Sequence, residues 1–168
     1  PVRRRQEGAW PDIQKAFYDA LLQDGFGFVE DTNGPNPAGV GVSPSNNLDG
    51  VRVSAAMCYL GPMRHRLNLT VRGKVLVRKV LFDGQKAVGV EAKSGGEVFT
   101  VEAGRVVLSS GAIKSPHLLM LSGIGPADQL KEFGIETVLE SPGVGQNLYN
   151  HLSAHISYKV KDGKTLSG

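Results

Sequence analysis

The sequence has few cysteines, few aromatic residues and no long hydrophobic run, and each scarcity excludes a class of protein. Its only cysteine, Cys58, excludes an intrachain disulfide framework and a zinc site built from cysteines. The most apolar stretch, residues 106–120, contains Lys114 and His117, so it is too short and too polar to cross a bilayer. Aromatic residues are 7% of the chain, and none interleaves with the basic residues Arg72, Lys74 and Arg78 as single-strand nucleic-acid binding would require.

The chain also lacks a large excess of charge of either sign. The chain has 19 basic and 16 acidic residues, a net charge of +3, which is at the margin for a nucleic-acid-binding domain. Residues 1–5 are basic, but no apolar segment follows them, so no secretory signal is visible and we predict a cytoplasmic location. With 40% hydrophobic and 21% charged residues, the composition is that of a globular domain.

Glycine, in contrast, is abundant. It accounts for 22 of 168 residues, where roughly 7% is usual, and this excess predicts tight turns and close backbone approaches. The dinucleotide fingerprint G-x-G-x-x-G is nevertheless missing, because none of the four G-x-G pairs has glycine at its sixth position. These pairs begin at Gly25, Gly39, Gly123 and Gly143.

The first part of the chain predicts two helices separated by a long loop. Apolar residues with helical spacing follow Trp10, and Gly25 is expected to end that helix. Residues 25–50 are rich in glycine, proline and asparagine, and we expect a cofactor or a neighbouring segment to order so long a loop. Ser54 is the predicted N-cap of a short helix that extends to Gly61-Pro62.

Residues 69–103 predict a three-stranded antiparallel meander. Their apolar positions alternate with a period of two, and β-branched residues are frequent. The turns Asp83-Gly84 and Ser94-Gly95-Gly96 separate the strands, and both are hairpin signals.

Residues 105–123 predict a parallel β-α element. The continuous apolar run 106–108 is typical of a strand covered on both faces. Ser115 and Pro116 predict the start of a helix that Gly123 ends. A second helix over 126–134 and a strand over 137–139 follow.

The turn between these two elements, residues 109–112, contains only small side chains. Small residues at the carboxyl end of a buried strand allow a flat or phosphorylated ligand to approach the main chain, and a nearby helix N-terminus adds oriented N–H groups. A tight β-α connection without a ligand explains the same residues, so both interpretations stay open.

Two other patterns favour ordinary structural explanations. His151 and His155 are four residues apart, but no third ligand has motif spacing, so we predict no metal site. The even positions Arg72, Lys74 and Arg78 predict one basic strand face. Because no aromatic residues interleave with them, a solvated face explains them better than a nucleic-acid surface.

Taken together, these segments resemble the glucose-methanol-choline (GMC) family of FAD-dependent oxidoreductases. Residues 111–125, with the sequence GAIKSPHLLMLSGIG, match the second signature of that family along its whole length. Further segments in family order are 31–34, 50–56, 66–71, 87–91 and 144–148.

The resemblance implies a mixed α/β fold, namely part of an FAD/NAD(P)-binding Rossmann-like domain with the meander inserted. Residues 1–154 would form a partial FAD-binding domain, and residues 155–168 would begin the substrate-binding domain. It further implies FAD as cofactor. The main chain of Val77 would contact the adenine, with the small-residue turn nearby; the implied cofactor-binding residues are Val77, Ser110, Gly111 and Ala112.

Two parts of the family pattern do not occur in this sequence. They are the N-terminal unit with the dinucleotide loop and the C-terminal region with the catalytic histidine pair. We therefore predict the middle portion of an enzyme that oxidises alcohols by hydride transfer to flavin N5. This chain would hold no catalytic residue and be inactive alone. In the motif around His151, Asn150 replaces the usual aspartate, so His151 is not assigned a catalytic role.

The resemblance also implies the partners. We expect a small alcohol as substrate, no nucleic acid, no membrane span, and the remainder of the same enzyme as a partner. Two alternatives stay open: a non-catalytic module that binds through a basic sheet face, and a flavin-containing hydroxynitrile lyase on the same fold.

Overall fold

A computed structural model describes residues 10–48 and 50–157. Within them, Val71–His155 forms one compact unit, and the preceding residues with Ile156 and Ser157 belong to another. The helices are α1 (Asp12–Gln23), α2 (Gly61–Met63), α3 (Gly111–Leu121) and α4 (Ala127–Glu132), with a π-helical turn at Ala56–Leu60. The strands are β1 (Asn47–Leu48), β2 (Val51–Arg52), β3 (Leu76–Asp83), β4 (Lys86–Ser94), β5 (Glu97–Glu102), β6 (Ile124–Gly125) and β7 (Leu139–Glu140).

Helix α1 confirms the first predicted helix, and Gly25 follows it with a φ of +92°. Its apolar stripe is not covered within its own unit: no residue of α1 is buried, and the Phe17 side chain is 66% exposed. The Trp10 and Tyr18 rings meet edge to face with centroids 5.0 Å apart.

Part of the long loop that follows is ordered by hydrogen bonds within the loop itself, rather than by the neighbouring segment or cofactor that was expected. The Val29 N–H donates to the Val40 carbonyl at 2.9 Å, and the Val40 N–H donates to the Gly27 carbonyl at 2.8 Å. These bonds form a parallel bridge between Phe28 and Val40.

The helical segment after Ser54 begins where it was predicted but ends later. The Met57 N–H donates to Ser54 Oγ at 3.3 Å, which caps the first turn. The chain then remains helical to Met63, the end of α2, which is one residue beyond the predicted end at Gly61-Pro62. Gly61 adopts ordinary helical angles, and Pro62 lies in the first turn of α2, where a missing N–H is tolerated.

The antiparallel meander is confirmed, with the strand order β3-β4-β5. Gly84 has a φ of +58°, and Gly95 and Gly96 have φ values of +57° and +96°, so both hairpin turns use backbone conformations that favour glycine. Strand β3 begins only at Leu76 because Lys74, with a φ of +56°, interrupts the extended chain before it.

The second predicted helix corresponds to α4, and the final predicted strand corresponds to β7. β7 pairs in parallel with β6, a two-residue strand that the sequence pattern did not indicate. The three elements form a small β-α-β unit with Leu130 of α4 at its centre, 1% exposed.

The parallel element at 105–123 differs from its prediction in two respects. Residues 106–108 do not form a strand, and the Val107 side chain is 76% exposed. A parallel strand needs neighbouring strands for its hydrogen bonds, and the described residues do not provide them at this point. The helix also begins at Gly111 rather than Ser115, so Pro116 lies inside α3.

The reason for the early start of α3 is local. Ser115 does not cap the helix from outside; its Oγ accepts a hydrogen bond from the Ser110 N–H at 3.1 Å and so closes the turn that precedes α3. Pro116 is the sixth residue of α3, so it lacks the N–H that would donate to the Ala112 carbonyl, and its ring crowds that carbonyl. The predicted substrate-domain segment, 155–168, lies outside the described residues from position 158 onward.

Candidate cofactor-binding site

A cavity of about 720 Å³ lies between β3 and α3. Ten of its lining residues come from the start of β3, from the turn before α3 and from one face of α3, and the eleventh is on β4. They are Val75, Leu76, Val77, Arg78, Lys79, Glu91, Ser110, Lys114, His117, Leu118 and Leu121. The cavity therefore has a strand edge as one wall and a helix as the other.

The strand edge offers main-chain hydrogen-bonding groups. In an antiparallel sheet, successive residues direct their N–H and C=O alternately to the two sides. The Ala103 N–H donates to the Val88 carbonyl, so the main-chain N–H and C=O of Val88 point toward β5. By alternation, the main-chain groups of Val90 and Ala92 point toward β5 as well. The β3 residues that pair with Val90 and Ala92 must consequently direct their own main-chain N–H and C=O away from β4.

Those partners are Val80, opposite Val90, and Val77, opposite Ala92. A register shift between Val77 and Lys79 places the two valines, although three residues apart, on the same side of the strand. The Val80 N–H confirms this direction, because it donates to Ser122 Oγ at 2.8 Å. The N–H and C=O of Val77 thus face the open edge that borders the cavity.

The charges around the cavity are mainly positive. Arg78 and Lys79 both approach Glu91, at 3.1 Å and 3.9 Å. Lys114 has no ion-pair partner within the described residues, so the lining of the cavity carries three basic side chains and one carboxylate. A net positive cavity favours an anionic ligand.

The predicted cofactor residues lie at or beside this cavity. Val77 and Ser110 line it. Gly111 and Ala112 follow Ser110 as the first residues of α3; both are exposed and are not among the lining residues. Gly111 has a φ of +82°, which allows the chain to turn from Ser110 into the helix.

Sequence reasoning missed the helical wall. Lys114, His117, Leu118 and Leu121 have the spacing i, i+3, i+4 and i+7, so one face of α3 could have been identified once the helix was known to begin at Gly111. The contribution of Glu91 depends on pairing between strands and could not be found in the same way.

The predicted basic strand face does not form. The Arg72 guanidinium lies over the Phe99 ring at 5.1 Å, Lys74 precedes the strand, and Arg78 pairs with Glu91. The even spacing failed because the interruption at Lys74 and the register shift at Arg78 both break the alternation of a regular strand.

The two histidines of the C-terminal segment are not brought together by a helix. Residues 151–157 contain no regular secondary structure. The His151 N–H donates to Asn150 Oδ1 at 2.8 Å. In the part of the chain that the structure describes, no group of three or more histidine, cysteine or acidic side chains could hold a metal ion.

The cavity thus combines the main-chain groups of a strand edge with three basic side chains, in a chain of mixed α/β structure. A family model described as GMC oxidoreductase matches residues 2–153. The chain therefore belongs to the GMC oxidoreductase family, as the resemblance predicted.

Similar proteins agree with this assignment. An oxygen-dependent choline dehydrogenase of Staphylococcus haemolyticus is 43% identical over 162 residues, which are 96% of this chain and 28% of that protein. The structure of pyridoxine 4-oxidase from Mesorbium loti has a TM-score of 0.73 and 32% identity, over 84% of this chain and 28% of its own. An FAD-dependent oxidoreductase from Chaetomium thermophilum has a TM-score of 0.71 and 31% identity, over 81% and 24%.

The chain thus spans less than a third of the length of these relatives. The mixed α/β fold predicted from the sequence is confirmed by the structural similarity. Each helix among the described residues is too short or too polar to cross a membrane.

Proposed function

We propose that this chain is the middle portion of an FAD-dependent oxidoreductase that acts on the CH–OH group of an alcohol. The observation that carries the proposal is the cavity between β3 and α3, which would hold the adenosine diphosphate half of FAD. We refer to the proposed longer enzyme as the parent polypeptide.

The strand edge supports this assignment by its chemistry. The N–H of Val77 can donate to an adenine ring nitrogen, and its C=O can accept from the adenine amino group, as a neighbouring strand would. The small side chain of Ser110, in the turn before α3, leaves room for a flat ring system opposite the strand edge. The half-buried Val77 side chain supplies apolar contact.

The charge of the cavity supports the diphosphate. Arg78 and Lys79 share one carboxylate, and Lys114 projects from the opposite wall without an ion-pair partner in the described residues. Lysine binds phosphate as a point charge and does not need a fixed geometry. Gly111 and Ala112, at the first turn of α3, are proposed to lie beside the same part of the cofactor.

FAD, when bound, supplies the hydride acceptor for alcohol oxidation. The residues of this chain hold and orient the adenosine end, and we assign none of them as the base. The alcohol substrate and the remainder of the parent polypeptide are the partners that this role requires. A role without a nucleic-acid partner and a cytoplasmic location remain predictions from the sequence.

A proline substitution at Val77 tests the main-chain contact. In the parent polypeptide, Val77→Pro removes the N–H that faces the cavity, at a strand edge where proline is tolerated. We expect about a tenfold loss of FAD affinity, the size of one hydrogen bond to the ligand. Val77→Ala keeps the N–H and removes only part of the apolar contact, so it should lose clearly less FAD affinity than Val77→Pro.

Titration of the apoprotein with FAD, followed by flavin fluorescence, measures both variants. Equal affinities of Val77→Pro and Val77→Ala would refute the adenine contact. Absence of FAD from the purified parent polypeptide would refute the function itself. Cleavage of a cyanohydrin without alcohol oxidation would favour the lyase alternative.

A further inference from the structure

We infer that Ser122 is a positioning residue for the cofactor site, because its hydroxyl joins the edge of β3 to the last turn of α3. These two elements are the walls of the cavity, so Ser122 would set the distance between them. The inference rests on the proposed function, since its ligand is the adenosine end of FAD.

Ser122 is buried, with 6% of its surface exposed. Its hydroxyl both accepts and donates a hydrogen bond. It accepts from the Val80 N–H at 2.8 Å and donates to the Leu118 carbonyl at 2.5 Å. A hydroxyl is a donor and an acceptor in one small group, and both capacities are needed here.

The two partners of Ser122 belong to the two walls. Val80 lies on the same edge of β3 as Val77, at a separation of about 10 Å along the strand. Leu118 is itself a lining residue of the cavity and is buried. One side chain therefore connects the strand that presents Val77 with the helix that carries Lys114.

Removal of the hydroxyl would leave the Val80 N–H without a partner in a buried position. Such a group costs free energy until water or movement satisfies it. The available movement is a separation of β3 from α3, which would displace the main chain of Val77 relative to Lys114. A ligand held by both walls would then bind less tightly.

A destabilised protein could also lose affinity without any specific displacement, so the test needs matched variants. The side chains introduced by Ser122→Thr and Ser122→Val have nearly the same shape and crowd their neighbours to the same extent. Only the threonine side chain keeps the hydroxyl. Leu130→Val, in α4, lowers stability by loss of packing away from the cavity. ADP is the probe, because it contains the adenosine and phosphate groups without the flavin.

We expect Ser122→Ala and Ser122→Val to raise the dissociation constant of ADP for the apo parent polypeptide about tenfold. Ser122→Thr should remain within about twofold of the unsubstituted protein, and Leu130→Val should leave ADP affinity unchanged. At saturating FAD, kcat of the folded variants should equal that of the unsubstituted enzyme. Isothermal titration calorimetry and steady-state kinetics measure these quantities.

Equal ADP affinity of Ser122→Thr and Ser122→Val would overturn the inference, even if Ser122→Ala failed to fold. An equal loss in Leu130→Val would also overturn it, because a general structural effect would then explain the result. In both cases the unsubstituted protein still binds ADP and FAD, so the proposed function stands. Failure of the unsubstituted parent polypeptide to bind either would overturn the proposed function as well.

Discussion

Gly123 shows how a single residue is required for two reasons at once. It follows α3 with a φ of +84°, a conformation that residues with a Cβ atom adopt at a cost. A Cβ at this position would also lie 2.5 Å from the Glu136 carbonyl oxygen and 2.9 Å from Val138 Cγ2. The chain after α4 can reach β6 because this space is empty; the Val138 N–H donates to the Gly123 carbonyl at 2.8 Å.

The substitution Gly123→Ala should therefore lower the free energy of unfolding by about 2–4 kcal/mol, the sum of backbone strain and overpacking. Gly134→Ala is the matched control, because Gly134 has a φ of +66° and a Cβ added there would meet nothing within 4 Å. It should cost about 1–2 kcal/mol from backbone strain alone. Urea unfolding of the two variants measures the difference, and equal losses would contradict the steric part.

At the scale of elements, the β6-α4-β7 unit depends on one fully buried side chain. The Leu130 side chain is 1% exposed. The Leu130 carbonyl also accepts a hydrogen bond from the Ile135 N–H at 2.9 Å, which holds the chain after α4. The parallel pair between β6 and β7 is only two residues long. So short a pair has few hydrogen bonds, and packing of α4 must provide most of its stability.

Leu130→Ala should consequently destabilise the chain by about 2–5 kcal/mol through the cavity that it creates. Phe133→Ala is the control at the end of the same helix, where the side chain is 72% exposed, and it should change stability by about 0.5 kcal/mol or less. Denaturant unfolding followed by circular dichroism measures both. A comparable loss in Phe133→Ala would contradict the assignment of this stability to the burial of Leu130.

At the scale of the whole molecule, the described residues bury little apolar surface. Large side chains are exposed on α1, on α3 and in the C-terminal segment, among them Phe17, Ile113 and Leu152. Apolar surface of this extent marks contacts with other protein segments. This agrees with the proposal that the chain works as part of a longer enzyme.

The 168-residue chain alone should accordingly show no alcohol oxidation. By the proposed function it provides only the adenosine side of the cofactor site and, by the family resemblance, no base for proton removal. We expect no detectable turnover with added FAD and a primary alcohol, against turnover by the parent polypeptide. Oxygen consumption and dye reduction measure this, and turnover by the chain alone would contradict the division of roles.

The sequence by itself determined the features that depend on neighbouring residues. The hairpin turns at Gly84 and Gly95 and the helix before Gly25 were predicted from local patterns. The family resemblance, carried by a fifteen-residue signature, indicated Val77 and Ser110, which the structure places at one cavity. The local predictions succeeded because turn geometry and helix termination depend on the conformational preferences of single residues.

Only the tertiary structure decided which groups meet. The edge direction of Val77 depends on the register shift at Arg78, the Ser122 bond joins residues 42 positions apart, and Glu91 reaches Arg78 through strand pairing. The strand expected at 106–108 is absent because an apolar run predicts burial but cannot supply the neighbouring strand that its backbone needs. Local preference sets the shape of each segment, whereas hydrogen-bond partners distant in the sequence determine the site.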